Sequence, residues 1–498
     1  MEQRASIPVL PPIPNPLPSY WQTPRSPLAN VIESETDKPT TPYDYAIIGS
    51  GISGAMIAHN LLEKRPGARI VMLEAREVCS GATGRNGGHT KAASYRTYTQ
   101  HVKTLGKQEA LKIARLEYTN IVETHQLAEK LGIDCENKLC NTVDLIYDKL
   151  AFETGKTAIQ ALRNDTEDHE KEVGKAAWYQ IHEDTAQVEK QFFVASEFHN
   201  ATLKEPEKLE GAFEYVAGRV HAYRFTTGIL SRCVKKGLQL RTNTTVDSIQ
   251  PSKKTCNDSI ALWDIVTKYT TISAAHVIVA SNGYTPYILP ELQGAIVPMR
   301  GQITVQRPGT ATKLPSPLPT TYSFIGRDGY EYMIPRPLPS GGGQHIVIGG
   351  GLARLSDGGA SEFGIVDDAS LNPAISAYLR ETLTGYHGKE NWGEASEAEA
   401  EKRVESEWTG IMGATADGQP FVGEVPGKVG EVPGKKGVWV SAGFNGHGMV
   451  LCLKSAEALV SMIEGGGVPA WFPGSFLISK ERMEKCRFRG RTDLIGEE

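Results

Sequence analysis

The chain has 498 residues, of which 40% are hydrophobic and 22% are charged, and its formal net charge is −5. This length exceeds that of one compact domain, so the sequence predicts two domains, each with its own core. The balanced charge lacks the basic surplus of a nucleic-acid-binding protein, and we expect no nucleic-acid partner.

Residues 1–42 contain ten prolines, a composition that disfavours helix and sheet. The segment is therefore predicted to be an extended N-terminal arm. Tyr20, Trp21 and Leu28 favour an arm that packs on the body of the protein, because these large apolar side chains gain from burial. A disordered tail is the alternative interpretation.

Regular structure is predicted to begin at residue 43. Residues 45–48 have the pattern of a short buried strand, residues 55 to about 64 that of a helix, and residues 69–74 that of a second buried strand. The order strand, turn, helix, strand is the unit from which parallel sheets are built.

The turn after the first strand has the pattern Gly49-x-Gly51-x-x-Gly54. Its glycines allow a tight turn, a close approach to a pyrophosphate and close packing of the helix on the strand. Glu74 ends the second strand, where a carboxylate binds ribose hydroxyls and repels a 2′-phosphate. We predict that this corner binds a dinucleotide, with Ser53 and Ala75 as neighbouring contacts. A glycine turn in an ordinary strand–helix unit is the alternative.

A glycine-rich loop at residues 79–90 follows the second strand directly. An extended FAD molecule would continue here beyond its adenosine half, so the loop favours FAD over NAD. Polar side chains in the loop suit phosphate and ribityl oxygens, and its glycines let the backbone approach a flat ring. The predicted contacts are Arg85, Asn86, Gly87, Gly88 and His89. A flexible surface loop is the alternative.

The middle of the chain has mixed helix and strand patterns. Residues 100–190 are predicted to be mostly helical, and the acidic run 394–407 to be a solvated helix face. A tandem hexapeptide at 423–428 and 430–435 predicts a loop. Further helices are predicted at 226–236 and 371–386, and strands at 238–241, 245–249, 260–263, 276–280, 302–305 and 345–348.

A second glycine corner lies near the C-terminal end. Residues 438–442 predict a strand, residues 443–448 a glycine-rich turn, and the apolar residues that follow a helix. A helix N-terminus aimed at a reduced flavin would stabilise its negative charge. We therefore predict that Gly446, His447, Gly448 and Met449 contact the cofactor. For His447, a capping or structural role is the alternative.

Together these motifs resemble those of the D-amino-acid oxidase family of FAD-dependent flavoproteins, which includes glycine, sarcosine and γ-glutamylputrescine oxidases. The segment Arg-Asn-Gly-Gly at 85–88 most resembles the last of these. The resemblance spans roughly residues 43 to 465 and is specific in the order of its motifs. Further similar segments lie at 280–283, 298–302, 332–336 and 416–420.

The resemblance implies an α/β fold with a Rossmann-type FAD-binding domain. It also implies a discontinuous α+β substrate domain whose antiparallel sheet covers the flavin. The predicted division is an arm at 1–42, a FAD-binding domain at 43–92, 211–300 and 404–470, a substrate domain at 93–210 and 301–403, and a C-terminal tail at 471–498.

The resemblance also suggests how FAD is held. Val246, Ser281 and Gly283 match family positions beside the cofactor. Sarcosine oxidases attach their flavin to a cysteine, and the position reached by the same spacing here is Gly410, with no cysteine near it. We expect non-covalent FAD, although His89 leaves a covalent linkage open.

The implied reaction oxidises the C–N bond of an amine or amino acid to an imine, with oxygen as acceptor and hydrogen peroxide as product. Tyrosines and a tryptophan are candidates for the walls of a substrate pocket, and arginines for the partner of a substrate carboxylate. The residues predicted at the reacting centre are His447, Arg336 and Tyr332. The further pocket candidates are Tyr322, Tyr330, Trp408, Arg300 and Arg354.

Other functions stay open from sequence alone. The same fold serves biosynthetic oxidases and monooxygenases, and a flavin-binding protein without catalysis is also compatible. The sequence has no second Gly-x-Gly-x-x-Gly after a strand, as a reductase or monooxygenase usually has. Seven scattered cysteines favour a reducing compartment and no metal site. The absence of an apolar run of about 18 residues or a secretory pattern favours a cytoplasmic protein without membrane contact. The oligomeric state is left open.

Overall fold

The computed structural model describes residues 1–31, 41–256, 260–338, 343–427 and 436–489. Its α-helices are Glu2–Ala5 (α1), Ile52–Lys64 (α2), Ser94–Leu105 (α3), Lys107–Lys130 (α4), Lys149–Asp165 (α5), Thr185–Phe192 (α6), Ala222–Lys235 (α7), Thr285–Ile288 (α8), Pro373–His387 (α9), Lys389–Trp392 (α10), Glu397–Glu401 (α11), Cys452–Ile463 (α12) and Lys480–Lys485 (α13). None of the helices in these ranges is long and apolar enough to cross a membrane.

The strands alternate with these helices. They are Tyr43–Ile48 (β1), Ile70–Leu73 (β2), His89–Thr90 (β3), Lys138–Ile146 (β4), Gln180–His182 (β5), Glu197–Phe198 (β6), Glu207–Lys208 (β7), Gly211–Arg219 (β8), Gln239–Arg241 (β9), Val246–Cys256 (β10), Ile260–Thr267 (β11), Thr271–Val279 (β12), Ile296–Gln306 (β13), Thr321–Gly326 (β14), Gly329–Pro337 (β15), Gln344–Gly349 (β16), Val404–Thr415 (β17), Phe421–Glu424 (β18) and Val438–Ala442 (β19).

Parallel strands form the centre of an eight-stranded sheet. β1 lies between β2 and β12 and is parallel to both, while β9 and β19 continue the parallel set on either side. Both faces of such a sheet must be covered. Tyr45 and Ile47 belong to a core cluster with α2, α7 and α12. Ala46 and Ile48 belong to a second cluster with β10, β11 and β18.

A second, nine-stranded sheet lies beside the first. Its order is β17-β13-β16-β15-β14-β4-β8-β3, with β5 paired to β8. All of its pairs are antiparallel except β14 with β4. The parallel sheet and this largely antiparallel sheet confirm the predicted fold class. Strands β8 and β17 and residues 296–300 of β13, which the sequence-based division gave to the FAD-binding domain, pair within this second sheet, and the domain boundaries stay a prediction.

The described part of the N-terminal arm packs along the body. Trp21 is 2% exposed and joins the core cluster of α2 and α7, and Leu17 and Tyr20 pack against the same cluster. The arm also holds one short helix, α1, which precedes the first proline. The prediction that the whole arm lacks helix was therefore wrong for its first turn, whereas the predicted packing agrees with the structure.

Two further elements differ from the predicted pattern. Residues 100–190 include the strand β4 as well as helices. Strand β4 forms because it pairs along its whole length with β8. The acidic run predicted as a helix face forms only α11 before β17 begins at Val404. Trp408 and Ile411 are buried in β17, which pairs with β13 over its full length, so long-range pairing outweighs the local acidic pattern. The second copy of the tandem hexapeptide lies outside the described residues.

Candidate functional site

A cavity of about 480 Å³ lies between the two sheets. One end is lined by the first glycine corner and by β10, and the other by strands β13, β15 and β17 of the second sheet. Most residues predicted to bind the cofactor line this one space. They are Gly49, Gly51, Ser53, Glu74, Ala75, Arg85, Asn86, Gly87, His89, Val246, Ser281, Gly446, His447, Gly448 and Met449.

The first corner requires glycine at two positions. Gly49 has a φ of 107°, and a Cβ atom there would lie 2.7 Å from the carbonyl oxygen of Ala280. A Cβ atom at Gly54 would lie 2.1 Å from the carbonyl oxygen of Gly49. Gly54 does not line the cavity. Its missing side chain instead lets α2 pack close to the turn, as the motif predicts.

The loop 79–88 is joined to the start of α2. The Thr83 hydroxyl accepts a hydrogen bond of 3.0 Å from the Ile52 backbone N–H. A Cβ atom at Gly51 would lie 3.1 Å from the same hydroxyl oxygen. The loop and the helix N-terminus therefore form one wall, where unpaired backbone N–H groups and the helix dipole favour an anion such as a pyrophosphate.

Glu74 is fixed at the end of β2. Its Oε2 atom accepts hydrogen bonds from the backbone N–H of Ser50 at 3.0 Å and from the Ser50 hydroxyl at 2.6 Å. Its Oε1 atom accepts from the backbone N–H of Arg76 at 3.0 Å. The carboxylate is thereby oriented beside the buried Val246, at the end of the cavity predicted to hold the adenosine.

The second corner is held by asparagines. The Asn282 side-chain oxygen accepts hydrogen bonds from the backbone N–H groups of Gly443 and Phe444, at 3.0 and 3.2 Å. Asn445 has a φ of 51° and its side-chain oxygen accepts from the Thr415 backbone N–H at 2.8 Å. The turn preceding α12 is thus tied to β12 and β17, and it presents residues 446–449 to the cavity.

Two predicted cofactor residues serve packing instead of lining the cavity. A Cβ atom at Gly88 would lie 2.3 Å from the carbonyl oxygen of Val220, and one at Gly283 would lie 2.3 Å from that of Met412. Both glycines allow two backbone segments to approach each other. Their predicted contact with FAD stays untested.

Arg85 lines the cavity, but its guanidinium is directed away from open space. It donates to the carbonyl oxygens of Ser80 at 3.0 Å, Thr409 at 2.8 Å and Leu17 at 2.5 Å. Burial lowers the pKa of Arg85 to about 10, against the favourable charge of Asp368 at 3.4 Å. The side chain therefore fastens the loop to β17 and to the arm, and its predicted contact with FAD oxygens stays a prediction.

The cavity has features that fit FAD. The hydroxyl of Tyr284 is buried at its wall and has no hydrogen-bond partner among the described residues. An unsatisfied buried hydroxyl is costly, and a ligand oxygen or nitrogen would satisfy it. Together with the glycine corners, the helix N-terminus and the fixed Glu74 carboxylate, this donor set suits a dinucleotide with a flat ring at its far end.

Polar and aromatic side chains surround that far end. Tyr332 is half-buried, and Gly87 has room for no side chain, because a Cβ atom there would lie 2.6 Å from the tyrosine ring. His89 Nε2 lies 2.7 Å from the hydroxyl of Thr321. Burial, followed by the nearby Lys91 charge, holds the pKa of His89 well below its usual value.

His447 faces the open space of the cavity. Its Nδ1 atom lies 2.8 Å from the carbonyl oxygen of Asn445, which can only accept, so Nδ1 carries the proton. His447 is accessible from the cavity, but the surrounding protein desolvates its ring and lowers its pKa; the Asn445 hydrogen bond opposes this shift, and the charges of Arg96 and Lys91 add to it. A neutral imidazole with Nδ1 protonated presents Nε2 as a hydrogen-bond acceptor.

Two cations lie near this end of the cavity, and only one has a carboxylate partner in the described chain. Lys91 donates to Asp144 and to Ser323. Arg96, at the start of α3, lies 4.7 Å from the ring centroid of Tyr330. Within the described ranges, Arg96 makes no ion pair.

The arginines favoured by the sequence are placed elsewhere. Arg336 binds Glu136, with Nε at 2.8 Å from its carboxylate, and does not line the cavity. Arg300 and Arg354 are paired in the same way, with Glu362 and Glu207. Arg336 is therefore corrected from a residue of the reacting centre to a structural ion pair, because its guanidinium is already bound.

Of the aromatic candidates, Tyr330 and Tyr332 line the cavity and Tyr322 and Trp408 do not. Trp408 instead donates a hydrogen bond of 2.8 Å to the Arg85 carbonyl oxygen. Sequence reasoning missed Lys91 and Arg96, which follow the glycine-rich loop by one and six residues. Extending the motif past residue 90 would have found both.

The fold and the cavity define a dinucleotide-binding oxidoreductase with a second, antiparallel sheet over the far end of its site. A family model described as DAO, FAD dependent oxidoreductase, matches residues 44–462. The chain belongs to this family, and the family implies FAD as cofactor.

Relatives support the same class. The chain is 24% identical over 447 residues to a protein named probable oxidoreductase OrdL from Rhizobium meliloti, covering 86% of this chain and 87% of that protein. It is 24% identical over 249 residues to the OrdL of Haemophilus influenzae, a match that spans half the length of each chain. The resemblance to γ-glutamylputrescine oxidases stays a prediction.

A solved structure shares the fold. The glycine oxidase from Geobacillus kaustophilus superposes with a TM-score of 0.64 at 20% identity, covering 89% of this chain and 99% of that chain. At this identity the likeness concerns the fold alone.

Proposed function

We propose that this protein oxidises the C–N bond of a small amine that also carries a carboxylate, using non-covalently bound FAD and passing the electrons to oxygen. The observation that carries this proposal is Arg96, an exposed guanidinium that lies over the ring of the cavity-lining Tyr330 and has no carboxylate partner in the described part of the chain. The family supplies the redox cofactor, and this residue supplies a reason to prefer an amino acid over a plain amine.

The charges at this end of the cavity single out Arg96. Lys91 is bound by Asp144, whose second oxygen accepts from the hydroxyls of Tyr95 at 2.9 Å and Tyr215 at 2.8 Å. That carboxylate is therefore fully used inside the protein. Arg96 keeps its donors for a ligand, and an arginine fork suits a carboxylate because it can make two parallel hydrogen bonds.

The cavity residues near this cation suit the rest of such a substrate. Tyr330 and Tyr332 provide aromatic surface, and the His447 imidazole, neutral with Nε2 free to accept, suits the N–H of an amine. A neutral amine is the reactive form, because its lone pair assists loss of the hydrogen on the adjacent carbon. His447 would orient this amine in the cavity by accepting a hydrogen bond from its N–H at Nε2.

The cofactor itself supplies the electron-accepting ring, and the chain supplies binding and orientation. The residues proposed to hold FAD are the cavity-lining set of the two glycine corners and the loop 79–88. His89 is engaged with Thr321, which favours the non-covalent mode. Glycine oxidase, a protein of this fold, acts by its name on an amine that carries a carboxylate.

An anaerobic substrate panel tests this function. The purified full-length protein is mixed with glycine, N-methylglycine, D- and L-amino acids, and plain mono- and diamines, while the flavin absorbance near about 450 nm is followed. Bleaching by at least one carboxylate-bearing amine, with peroxide formed on admitting oxygen, is the expected result. A flavin that only plain amines reduce would refute the role of Arg96, and a flavin that no amine reduces would refute C–N oxidation.

Substitution of Arg96 makes the test specific. Arg96→Met removes a charged hydrogen-bonding partner worth about 1.5–3 kcal/mol, so kcat/KM for the carboxylate substrate should fall about ten- to 150-fold. The effect on a plain amine should be small. Arg307→Met, at an exposed arginine paired with Glu405, is the matched control. Equal losses for both substrate types would contradict a carboxylate contact.

A further inference from the structure

We infer that the N-terminal arm, here residues 8–31, is a positioning element of the FAD site that holds the loop 79–88 in its cofactor-binding form. The arm runs along the outside of this loop and contacts it at several points. This inference depends on FAD binding, which the family implies, and not on the identity of the substrate.

The arm is hydrogen-bonded to the loop directly. The Ser19 hydroxyl donates to the Gly84 carbonyl oxygen at 2.7 Å, and this contact is buried. The Arg85 guanidinium donates to the Leu17 carbonyl oxygen at 2.5 Å. At the base of the loop, the Val78 backbone N–H donates to the Ala29 carbonyl oxygen at 3.0 Å. The arm therefore fastens the middle of the loop and the residue that precedes it.

These contacts continue into the cavity. The turn Ala82–Arg85 lies between the arm and α2, and Thr83 within it accepts from the Ile52 N–H at the helix start. On the arm itself, Pro12 lines the cavity beside Arg76, and the Arg76 guanidinium donates to the Ile13 carbonyl oxygen at 3.2 Å. The arm thus reaches the cofactor space by one direct contact and through the loop.

The arm is held from the other side by the second sheet. The Tyr20 hydroxyl lies 2.7 Å from His345 Nδ1, and Arg336 lies over the rings of Tyr20 and Trp21 at 5.0 and 4.7 Å. The Leu17 backbone N–H donates to the Asp368 carbonyl oxygen at 2.8 Å. This gives the Arg336–Glu136 pair a function: its guanidinium anchors the arm.

The loop is therefore confined between the dinucleotide site and an arm that is anchored in the core of α2 and α7 and on the second sheet. Its glycines give it little rigidity of its own. If the arm stabilises the form of the loop that binds FAD, then FAD must stabilise the docked arm by the same factor, because coupling between two binding events is reciprocal. An arm that packs only for stability would show no such coupling.

Hydrogen exchange on the wild-type chain tests this reciprocity. Exchange of backbone amides in peptides covering residues 13–23 is compared between the flavin-free protein and the protein saturated with FAD. We expect FAD to slow exchange in the arm about five- to 150-fold, the range of typical coupling factors. Peptides from α9, which lies on the second sheet, serve as the internal reference. Protection of α2 by FAD without any change in the arm would overturn the inference.

Substitutions in the arm provide the second measurement. Trp21→Ala removes the main apolar anchor and Ser19→Ala the direct bond to the loop. The dissociation constant of FAD is measured by flavin fluorescence on samples shown by circular dichroism to be folded. We expect it to rise about tenfold or more for Trp21→Ala and severalfold for Ser19→Ala. Leu10→Ala, at a side chain that is 60% exposed in the same arm, should leave it unchanged.

The outcomes separate the two proposals. Unfolding temperatures that fall with an unchanged dissociation constant would reduce the arm to a structural element and overturn the inference. If Trp21→Ala does not fold, the Ser19→Ala measurement and the exchange experiment still decide. Neither readout involves a substrate, so a protein that binds FAD but oxidises no amine would refute the proposed function and leave the role of the arm standing.

Discussion

Substitution of one buried carboxyl should change how the stability of this protein depends on pH. Glu117 lies on α4 and is 9% exposed, and its hydrogen-bond partner among the described residues is the Ser94 hydroxyl, which donates to Oε2. No lysine or arginine of the described chain pairs with it. Burial raises the pKa of Glu117 from its ordinary 4.5 to about 7, although the Ser94 hydrogen bond opposes this.

The sign and size of the effect follow from this shift. The folded state holds the proton more tightly than the unfolded state, so stability is greatest below pH 4.5 as far as this group is concerned. It falls as the pH rises from there to about 7 and then stays level. A difference of about 2.5 pKa units at 1.36 kcal/mol each amounts to roughly 3 kcal/mol.

Glu117→Gln keeps the shape and removes the charge. The free energy of unfolding is measured with urea for the variant and the wild type at pH 5 and pH 8.5. Between these two pH values, the free energy of unfolding of the variant should rise by about 2–3 kcal/mol relative to that of the wild type. Glu129→Gln, at an exposed glutamate of the same helix, is the control and should show no such gain. A constant difference between the Glu117→Gln variant and the wild type at all pH values would refute the reasoning.

Three further substitutions test the cavity. Gly54→Ala places a Cβ atom 2.1 Å from the Gly49 carbonyl oxygen. Calorimetry should therefore show a lower unfolding temperature, and titration should show an FAD affinity reduced by about tenfold or more. In the control Gly474→Ala, the new Cβ atom would lie 3.7 Å from its nearest neighbour, so neither the unfolding temperature nor the FAD affinity should change. Asp368→Asn leaves two buried guanidinium groups without their carboxylate, and urea unfolding should show a loss of about 3–5 kcal/mol; a loss below about 1 kcal/mol would contradict this account. Tyr284→Phe should raise the unfolding free energy of the flavin-free protein by up to about 1–3 kcal/mol, since it removes a buried hydroxyl that has no described partner, and should weaken FAD binding by about two- to tenfold; unchanged affinity would show that the hydroxyl does not meet the cofactor.

The first glycine corner could be predicted from sequence because its turn and its helix contact are constrained locally. The tight turn at Gly49 and the contact of Gly54 with that turn involve residues within a short stretch of chain. Strand β1 and helix α2 also formed where the period of the apolar residues placed them. The strands β4 and β17 were missed because their partners, β8 and β13, lie about 70 or more residues away in sequence.

The arginines show why the far end of the site was harder to predict. Arg300, Arg336 and Arg354 have the right residue type and follow or precede strand patterns, yet each is bound by a glutamate distant in sequence. A sequence indicates which residues are cations, but it does not indicate which of them will meet a carboxylate when the chain folds. A buried cation without a partner is costly, so the fold pairs most of them.

Arg96 differs because of where α3 begins. The helix starts at Ser94, whose hydroxyl is bound by Glu117 on α4, and this places Arg96 over Tyr330 at the edge of the cavity instead of against an acidic side chain. The Asp144 carboxylate, whose charge acts on Arg96, is already bound by Lys91 and two tyrosine hydroxyls. A guanidinium that the fold leaves unpaired next to a cavity gains most from an anionic ligand. The proposed preference for amines that carry a carboxylate thus has a structural cause. Lys91 and the two tyrosines occupy Asp144, so the Arg96 guanidinium stays available for a carboxylate of the substrate.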